Sequence, residues 1–163
     1  PEPQPEPTPP EQQPQQPDED RPPTTPGQGD REAEPTGQES RLVSLVNQER
    51  RKNNLQPLSV DSEVTRVARI KAQDMVDNNY FSHYSPTYGS PFDMLDQFGV
   101  DYQYAGENLA QNVSVERAHQ ALMNSSGHRR NILNPNFTHI GVGIKAKGRN
   151  GYIYVEMFTG VPH

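Results

Sequence analysis

The sequence predicts an α+β fold, with helices in the first part of a single domain, an antiparallel β-hairpin in the last part, and a disordered tail in front. Apolar residues recur at helical spacing from about residue 41 to residue 124, and a period of two takes over after residue 139. A change of composition near residue 40 separates the tail. These three observations predict a sandwich of helices and a sheet behind a proline-rich linker.

The first 40 residues have the composition of a disordered chain. They hold 12 of the 17 prolines, ten acidic residues against two arginines, and Ala33 as the one residue of the apolar set. Such a segment cannot bury enough apolar surface to offset the entropy of ordering its backbone. We therefore expect residues 1–40 to be a disordered acidic linker, extended by its prolines, and residues 41–163 to form the domain.

Composition and charge also argue against some classes of partner and structure. The net charge of the chain is −6 and that of the tail is −8, so the domain itself is close to neutral at +2. A near-neutral domain without interleaved basic and aromatic residues predicts no nucleic-acid partner. There is no cysteine, hence no disulfide framework, and no run of the roughly 18 to 20 apolar residues that a transmembrane helix needs.

The start of the chain and its tail bear on location. Because the chain begins at Pro1 rather than at a methionine, we expect a mature or partial form, in which a missing signal peptide is uninformative. An acidic spacer ahead of a lone domain is typical of a domain held away from a membrane or wall. We therefore expect a secreted or cell-envelope protein.

Two helices are predicted first. The first begins at the cap Ser40 and ends in the polar run 50–54. The second begins at Asp61 and ends at Asn78. The residues that share its apolar face are Val64, Val67, Ala68 and Met75.

Two shorter helices and a hairpin follow. Ser90 precedes a proline at the first helical position and Asp93 follows three residues after the cap, a pattern typical of a helix start, with Gly99 closing the helix. Ser114 begins the fourth helix. The alternating segment 139–146 and the β-branched and aromatic segment 152–158 are joined by the glycine-bounded link 148–151, which predicts an antiparallel hairpin.

Three loop segments between these elements carry unusual polar residues. They are 81–86, 106–109 and 125–133, and they hold His83, Glu107 and His128. Two histidines 45 residues apart with a glutamate between them match no compact metal-ligand spacing. From spacing alone, hydrogen-bonded loop histidines are the favoured interpretation over a site.

The order of the short motifs is more specific than any one of them. The first helix contains Leu-Val-Asn-x-x-Arg. The motifs that follow are Pro-Leu at 57–58, His-x-Ser-Pro at 83–86, Gly-Glu-Asn at 106–108, Ser-Gly-His-Arg at 126–129, Gly-Val-Gly at 141–143 and an aromatic strand ending at Phe158. Over residues 41–160 this series resembles the CAP superfamily (cysteine-rich secretory, antigen-5, pathogenesis-related-1) in its cysteine-free bacterial SCP-like form. The resemblance implies a CAP-type α-β-α sandwich with an antiparallel sheet.

The resemblance also implies a site. CAP domains gather two histidines and acidic residues in a central open cleft, and the matching positions are His83, Glu107 and His128. The place of a second glutamate that many members have falls at Ser125, so that acid is missing. Glu156 could substitute for it, but we expect Glu156 to be a solvent-facing glutamate of the last strand.

Two facing imidazoles are a reasonable binding site for Zn²⁺ or a similar divalent ion, although two protein ligands alone would hold it weakly. The hypothesis assigns His83 and His128 as the ligands. Glu107 would either join them or brace one imidazole by accepting its N–H, and we expect the second role because it fixes the tautomer.

Three functions stay open at this point. The one we favour is a monomeric extracellular binding module for a cell-wall glycan, peptide or protein. The serines near the histidines (Ser82, Ser85, Ser125 and Ser126) allow a metal-dependent or serine-type hydrolase acting on peptide or cell-wall substrate. No nucleophile-elbow pattern singles one out, so catalytic residues are unknown and enzymatic activity is open. The third is a structural scaffold for another protein.

Overall fold

A computed structural model describes residues 35–161. The tail predicted to be disordered lies, up to residue 34, outside the described residues. Over the described part the elements are α1 (Gly37–Lys52), β1 (Ser59–Val60), α2 (Ser62–Asp77), α3 (Pro91–Gln97), β2 (Tyr104–Asn112), α4 (Val115–Met123), α5 (Ser126–Ile132), β3 (His139–Ala146), a short 3₁₀ turn (Gly148–Asn150) and β4 (Tyr152–Gly160). None of these helices combines the length and the apolar composition needed to cross a bilayer.

The sheet has four strands in the order β1-β3-β4-β2. The predicted hairpin is confirmed: β3 and β4 pair antiparallel from His139 opposite Thr159 to Ala146 opposite Tyr152. The two-residue strand β1 runs parallel to β3, so the sheet is antiparallel except at that edge.

Strand β2 is a correction to the prediction of a loop at 106–109. It pairs with β4 along its whole length, from Tyr104 opposite Gly160 to Asn112 opposite Tyr152. Its sequence is polar and contains a glycine, which is unfavourable for a strand by local propensity. The ladder to β4 and the burial of Leu109 and Ala110 stabilise it instead.

The start of α1 and the presence of α5 also differ from the sequence prediction. The cap of α1 is Thr36 and not Ser40, because Glu39 completes a capping box: its backbone N–H donates to Thr36 Oγ1, and its carboxylate accepts the Thr36 N–H at 2.9 Å. The segment 125–133, predicted as a loop, contains the helix α5. The predicted caps of α2, α3 and α4 are confirmed as Asp61, Ser90 and Ser114.

The sheet lies between two helical layers, as the α-β-α prediction requires. Helices α2 and α3 cover one face, where Val67, Leu95 and Val155 belong to one core. Helices α1, α4 and α5 cover the other face, where Leu42 and Phe158 belong to the second core. Because β4 is covered on both faces, its residues Ile153 to Gly160 are all buried.

A buried arginine ties α1 to the end of α5. Arg50 is 1% exposed and donates to the carbonyl oxygens of Gln56 at 2.7 Å, Ile132 at 2.8 Å and Asn134 at 3.0 Å. Burial lowers the pKa of Arg50. These bonds satisfy carbonyls at the C-terminal end of α5 that the helix itself cannot pair, and so they fix the helix that carries His128.

Candidate functional site

The central contact of the site is an imidazole–carboxylate pair. His83, in the loop after α2, places Nδ1 at 2.7 Å from Oε1 of Glu107 on β2. The two side chains are 12% and 1% exposed. An ionised carboxylate can only accept, so Nδ1 of His83 is the donor to Glu107, and Nε2 is the ring nitrogen that remains for a ligand. The expected contact between Glu107 and an imidazole is therefore present.

A buried lysine holds the loop that carries His83. Lys71 of α2 is 0% exposed, and its Nζ donates to the carbonyl oxygen of His83 at 2.7 Å. The same ammonium lies 5.2 Å from the ring centroid of Tyr80, within the range of a cation–π contact. Sequence reasoning missed Lys71. The available signal was its place in the apolar stripe of α2, four residues after Val67 and four before Met75.

Asp74, also buried in α2, holds the rest of that loop. It accepts hydrogen bonds from Tyr80 Oη and, at 2.7 Å, from Ser85 Oγ. Burial first, and then the bond to Asp74, raise the pKa of Tyr80. Ser85 Oγ also accepts the backbone N–H groups of Thr87 and Tyr88, both at 3.0 Å. Ser85 is thus a turn residue that shapes the loop.

His128 belongs to the helical layer on the other face of the sheet from α2. It lies on α5 and is 6% exposed. Its carbonyl oxygen accepts from Asn108 Nδ2 at 3.1 Å. Asn131, one turn further along α5, donates to Asn108 Oδ1 at 2.9 Å and to the carbonyl oxygen of Glu107 at 3.3 Å. These asparagines join α5 to β2, which is an edge strand.

The prediction that Glu156 faces solvent is wrong. Glu156 is 0% exposed, because β4 is a central strand with helices over both faces. Its Oε1 accepts from Asn108 Nδ2 at 3.1 Å, and its Oε2 has no hydrogen-bond partner among the described residues. Burial raises the pKa of Glu156 to about 7, and the bond to Asn108 opposes that rise.

The structure therefore joins the predicted residues in two ways. The side chains of His83 and Glu107 are hydrogen-bonded to each other. His128 and Glu107 are linked only through their backbone carbonyls, which accept from the side chains of Asn108 and Asn131. Within residues 35–161, no group of three or more His, Cys, Asp or Glu side chains is arranged to hold a metal ion. A divalent ion held by His83 and His128 would therefore have two protein ligands.

Two other histidines and Ser125 do not take part in the hydrogen bond between His83 and Glu107. His119 is buried with Nε2 at 3.4 Å from Glu49 Oε2, and burial lowers the pKa of His119. His139 begins β3 and contacts Thr138. Ser125 precedes α5 at its N-cap position and is 1% exposed.

Comparison with known proteins decides the family. The model of the CAP family, described as the cysteine-rich secretory protein family, matches residues 43–159, which is most of the chain. The chain belongs to the CAP family. It is 53% identical over 123 residues to YkwD of Bacillus subtilis (strain 168), covering 75% of this chain and 47% of YkwD. It is 43% identical over 113 residues to the membrane protein YlbC of the same organism, covering 69% of this chain and 33% of YlbC.

Solved structures agree with this assignment. An extracellular SCP-domain protein of Bacillus anthracis superposes with a TM-score of 0.71 at 38% identity, over 85% of this chain and 44% of that one. An outer surface protein of Borrelia burgdorferi has a TM-score of 0.70 at 24% identity, over 76% of this chain and 92% of that one, and so shares the fold. The chain spans less than half the length of the curated relatives it matches.

Proposed function

We propose that this CAP domain is an extracellular or envelope-displayed binding module whose ligand is held beside His83 and His128. The observation that carries the proposal is the buried contact between His83 and Glu107. A carboxylate buried to 1% exposure and bonded to an imidazole orients that imidazole, and α+β packing alone does not require such a pair. The 38%-identical relative from B. anthracis, described as extracellular, supports the location.

The chemistry of the pair favours a divalent cation as one ligand. With Nδ1 of His83 bonded to Glu107, Nε2 has the character of a metal ligand oriented by a carboxylate. His83 and His128 would hold Zn²⁺ or a similar ion, and Glu107 would keep the tautomer of His83. Such an ion would supply Lewis acidity, and two imidazoles would bind it weakly.

The test is a Zn²⁺ titration of the chain followed through the imidazole NMR signals of its histidines. We expect the signals of His83 and His128 to shift selectively, and to lose the response at low pH as imidazoles protonate. The His83→Ala, His128→Ala double variant should not bind Zn²⁺, and His139→Ala is the matched control that should bind as the wild type does. Binding that is absent, or unchanged in the double variant, would contradict the metal proposal.

Besides the metal ion, the proposed binding module would have a cell-wall glycan, a peptide or a protein as its ligand. Binding of cell-wall fragments and peptides, with and without Zn²⁺, separates a metal-assisted site from a metal-free one. A binding module should lose affinity when His83 or His128 is replaced. An enzyme would lose turnover in His128→Ala while keeping its affinity for substrate, and a scaffold would tolerate both replacements.

A further inference from the structure

The buried side-chain amide of Asn108 connects helix α5, which carries His128, to strand β2, which carries Glu107. Asn108 is 0% exposed, and its Nδ2 donates to the carbonyl oxygen of His128 and to Glu156 Oε1, both at 3.1 Å. Its Oδ1 accepts from Asn131 at 2.9 Å. Asn108 also follows Glu107 directly in β2, so it bonds to α5 and β4 while its neighbour bonds to His83.

We propose that Glu156 is a positioning residue of the site, which fixes His128 relative to Glu107 by holding the side chain of Asn108. The inference rests on the proposed function, because it assigns the position of His128 a role in ligand affinity. Glu156 itself would not touch the ligand. It sits on the central strand β4 opposite Asn108 of β2 and Val142 of β3.

The side-chain amide of Asn108 carries two hydrogens, and each needs an acceptor. Glu156 Oε1 accepts one of these hydrogens and the carbonyl oxygen of His128 accepts the other. The two bonds together fix the plane of the Asn108 side-chain amide. A buried N–H without an acceptor is unfavourable. If the acceptor on β4 is removed, Asn108 is expected to reorient and to loosen its hold on α5.

A carboxyl at this buried position is unfavourable unless it makes a polar contact that the protein uses. A fully buried carboxyl among Tyr154, Phe158 and Val142 costs desolvation that a leucine would not. Its one hydrogen bond in the described structure goes to Asn108. The side chain is thus placed where its single observed polar contact is with the residue that holds His128.

The experiment compares Glu156→Leu, Glu156→Gln and Asn108→Leu with the wild type. Tyr154→Phe is the matched control, because Tyr154 lies on the same strand and face and its buried hydroxyl has no hydrogen-bond partner among the described residues. The readouts are the His128 backbone and imidazole NMR signals without metal, and the Zn²⁺ affinity by calorimetry. We expect Glu156→Leu and Asn108→Leu to shift the His128 signals and to weaken Zn²⁺ binding on the order of tenfold. Glu156→Gln should restore both readouts, since its side-chain oxygen can accept, and Tyr154→Phe should change neither.

Two outcomes overturn the proposal. One is a folded Glu156→Leu chain whose His128 signals match the wild type. The other is a Glu156→Gln chain that behaves like Glu156→Leu, since the accepting oxygen would then be irrelevant. If the wild type binds no Zn²⁺, the proposed metal site fails, while the His128 signals still decide whether Glu156 positions that residue. If Asn108→Leu does not fold, Glu156→Leu tests the same connection with the amide left in place.

Discussion

Glu107 and His83 form a pair whose members depend on each other. The side chain of Glu107 is 1% exposed, and its second carboxylate oxygen, Oε2, has no hydrogen-bond partner among the described residues. Its stabilising contribution therefore depends on the bond from Nδ1 of His83. Two variants of Glu107 therefore test how much this bond stabilises the fold.

Replacing Glu107 by leucine should lower the free energy of unfolding by about 1–3 kcal/mol, because the Nδ1–H of His83 then has no acceptor. Replacing it by glutamine should cost clearly less, since the amide oxygen can accept the same hydrogen bond. Urea unfolding of both variants measures the difference. Equal and negligible losses would show that Glu107 does not brace His83.

Glu156 makes stability depend on pH in a direction opposite to that of an ordinary paired acid. Its pKa in the folded protein is raised to about 7 from 4.5, so the folded state holds the proton more tightly than the unfolded state. Stability is thus greatest below pH 4.5 as far as this group is concerned, and falls as the pH rises from 4.5 through about 7. The loss is on the order of 3 kcal/mol.

Glu156→Gln removes this dependence because an amide does not ionise. The free energy of unfolding of the variant minus that of the wild type should rise between pH 4.5 and pH 8, whatever constant cost the amide N–H₂ carries. Chemical denaturation at a series of pH values measures it, with Tyr154→Phe as the control whose difference from the wild type stays flat over the same range. A flat difference for Glu156→Gln would mean that Glu156 titrates near its usual value.

At the level of elements, helix α2 packs directly against strand β3. Gly141 and Gly143 face the helix, and a Cβ at Gly141 would lie 2.2 Å from the backbone nitrogen of Thr65. At Gly143 the nearest atom would be the carbonyl oxygen of Ala68, at 2.4 Å. Backbone atoms cannot move aside as a side chain can, so these glycines set the distance between helix and strand. The same helix carries Lys71 and Asp74, and hence this packing also positions the loop of His83.

Gly141→Ala should therefore cost about 3 kcal/mol or more, at the upper end of what overpacking costs. Gly37→Ala is the matched control, because a Cβ there meets nothing within 4 Å at the start of α1. Alanine in that first helical turn should leave stability unchanged or slightly raised. Thermal melts of the two variants make the comparison, and a Gly141→Ala chain as stable as Gly37→Ala would show that α2 can move away from the sheet.

At the level of the whole molecule, two cores share one sheet. Leu42 belongs to the core under α1, α4 and α5, and Leu95 to the core under α2 and α3. Both cores include side chains of the same strand, β4. If either helical layer detached, it would expose one face of β4 to water. The described part of the chain should therefore unfold as one cooperative unit.

Leu42→Ala and Leu95→Ala should each lower the free energy of unfolding by about 2–5 kcal/mol, and both should shift a single transition. The two side chains are matched, since each is 0% exposed. Scanning calorimetry checks the cooperativity through the ratio of calorimetric to van 't Hoff enthalpy. Two separate transitions in either variant would show that the cores unfold independently.

Helix starts and the hairpin could be predicted from the sequence where the residues that form them lie close together in the chain. The caps Asp61, Ser90 and Ser114 were readable because a polar side chain bonds to backbone groups two or three residues away. The hairpin of β3 and β4 was readable from alternation and from the glycine-bounded link. The order of short motifs led to the CAP family and to His83, Glu107 and His128 as site candidates, because motif order does not depend on knowing the contacts.

What the sequence could not decide is the environment of individual polar side chains. Strand β2 exists through its pairing with β4, and the burial of Glu156 and Lys71 results from layers contributed by distant parts of the chain. A glutamate in an alternating strand has the same local pattern whether one face or both faces are covered. Local spacing thus determined helices α1 to α4 and the β3–β4 hairpin, and the order of the short motifs determined the family. Tertiary structure alone decided which carboxylates are buried and which atoms connect His128 to Glu107, because burial depends on what packs from elsewhere.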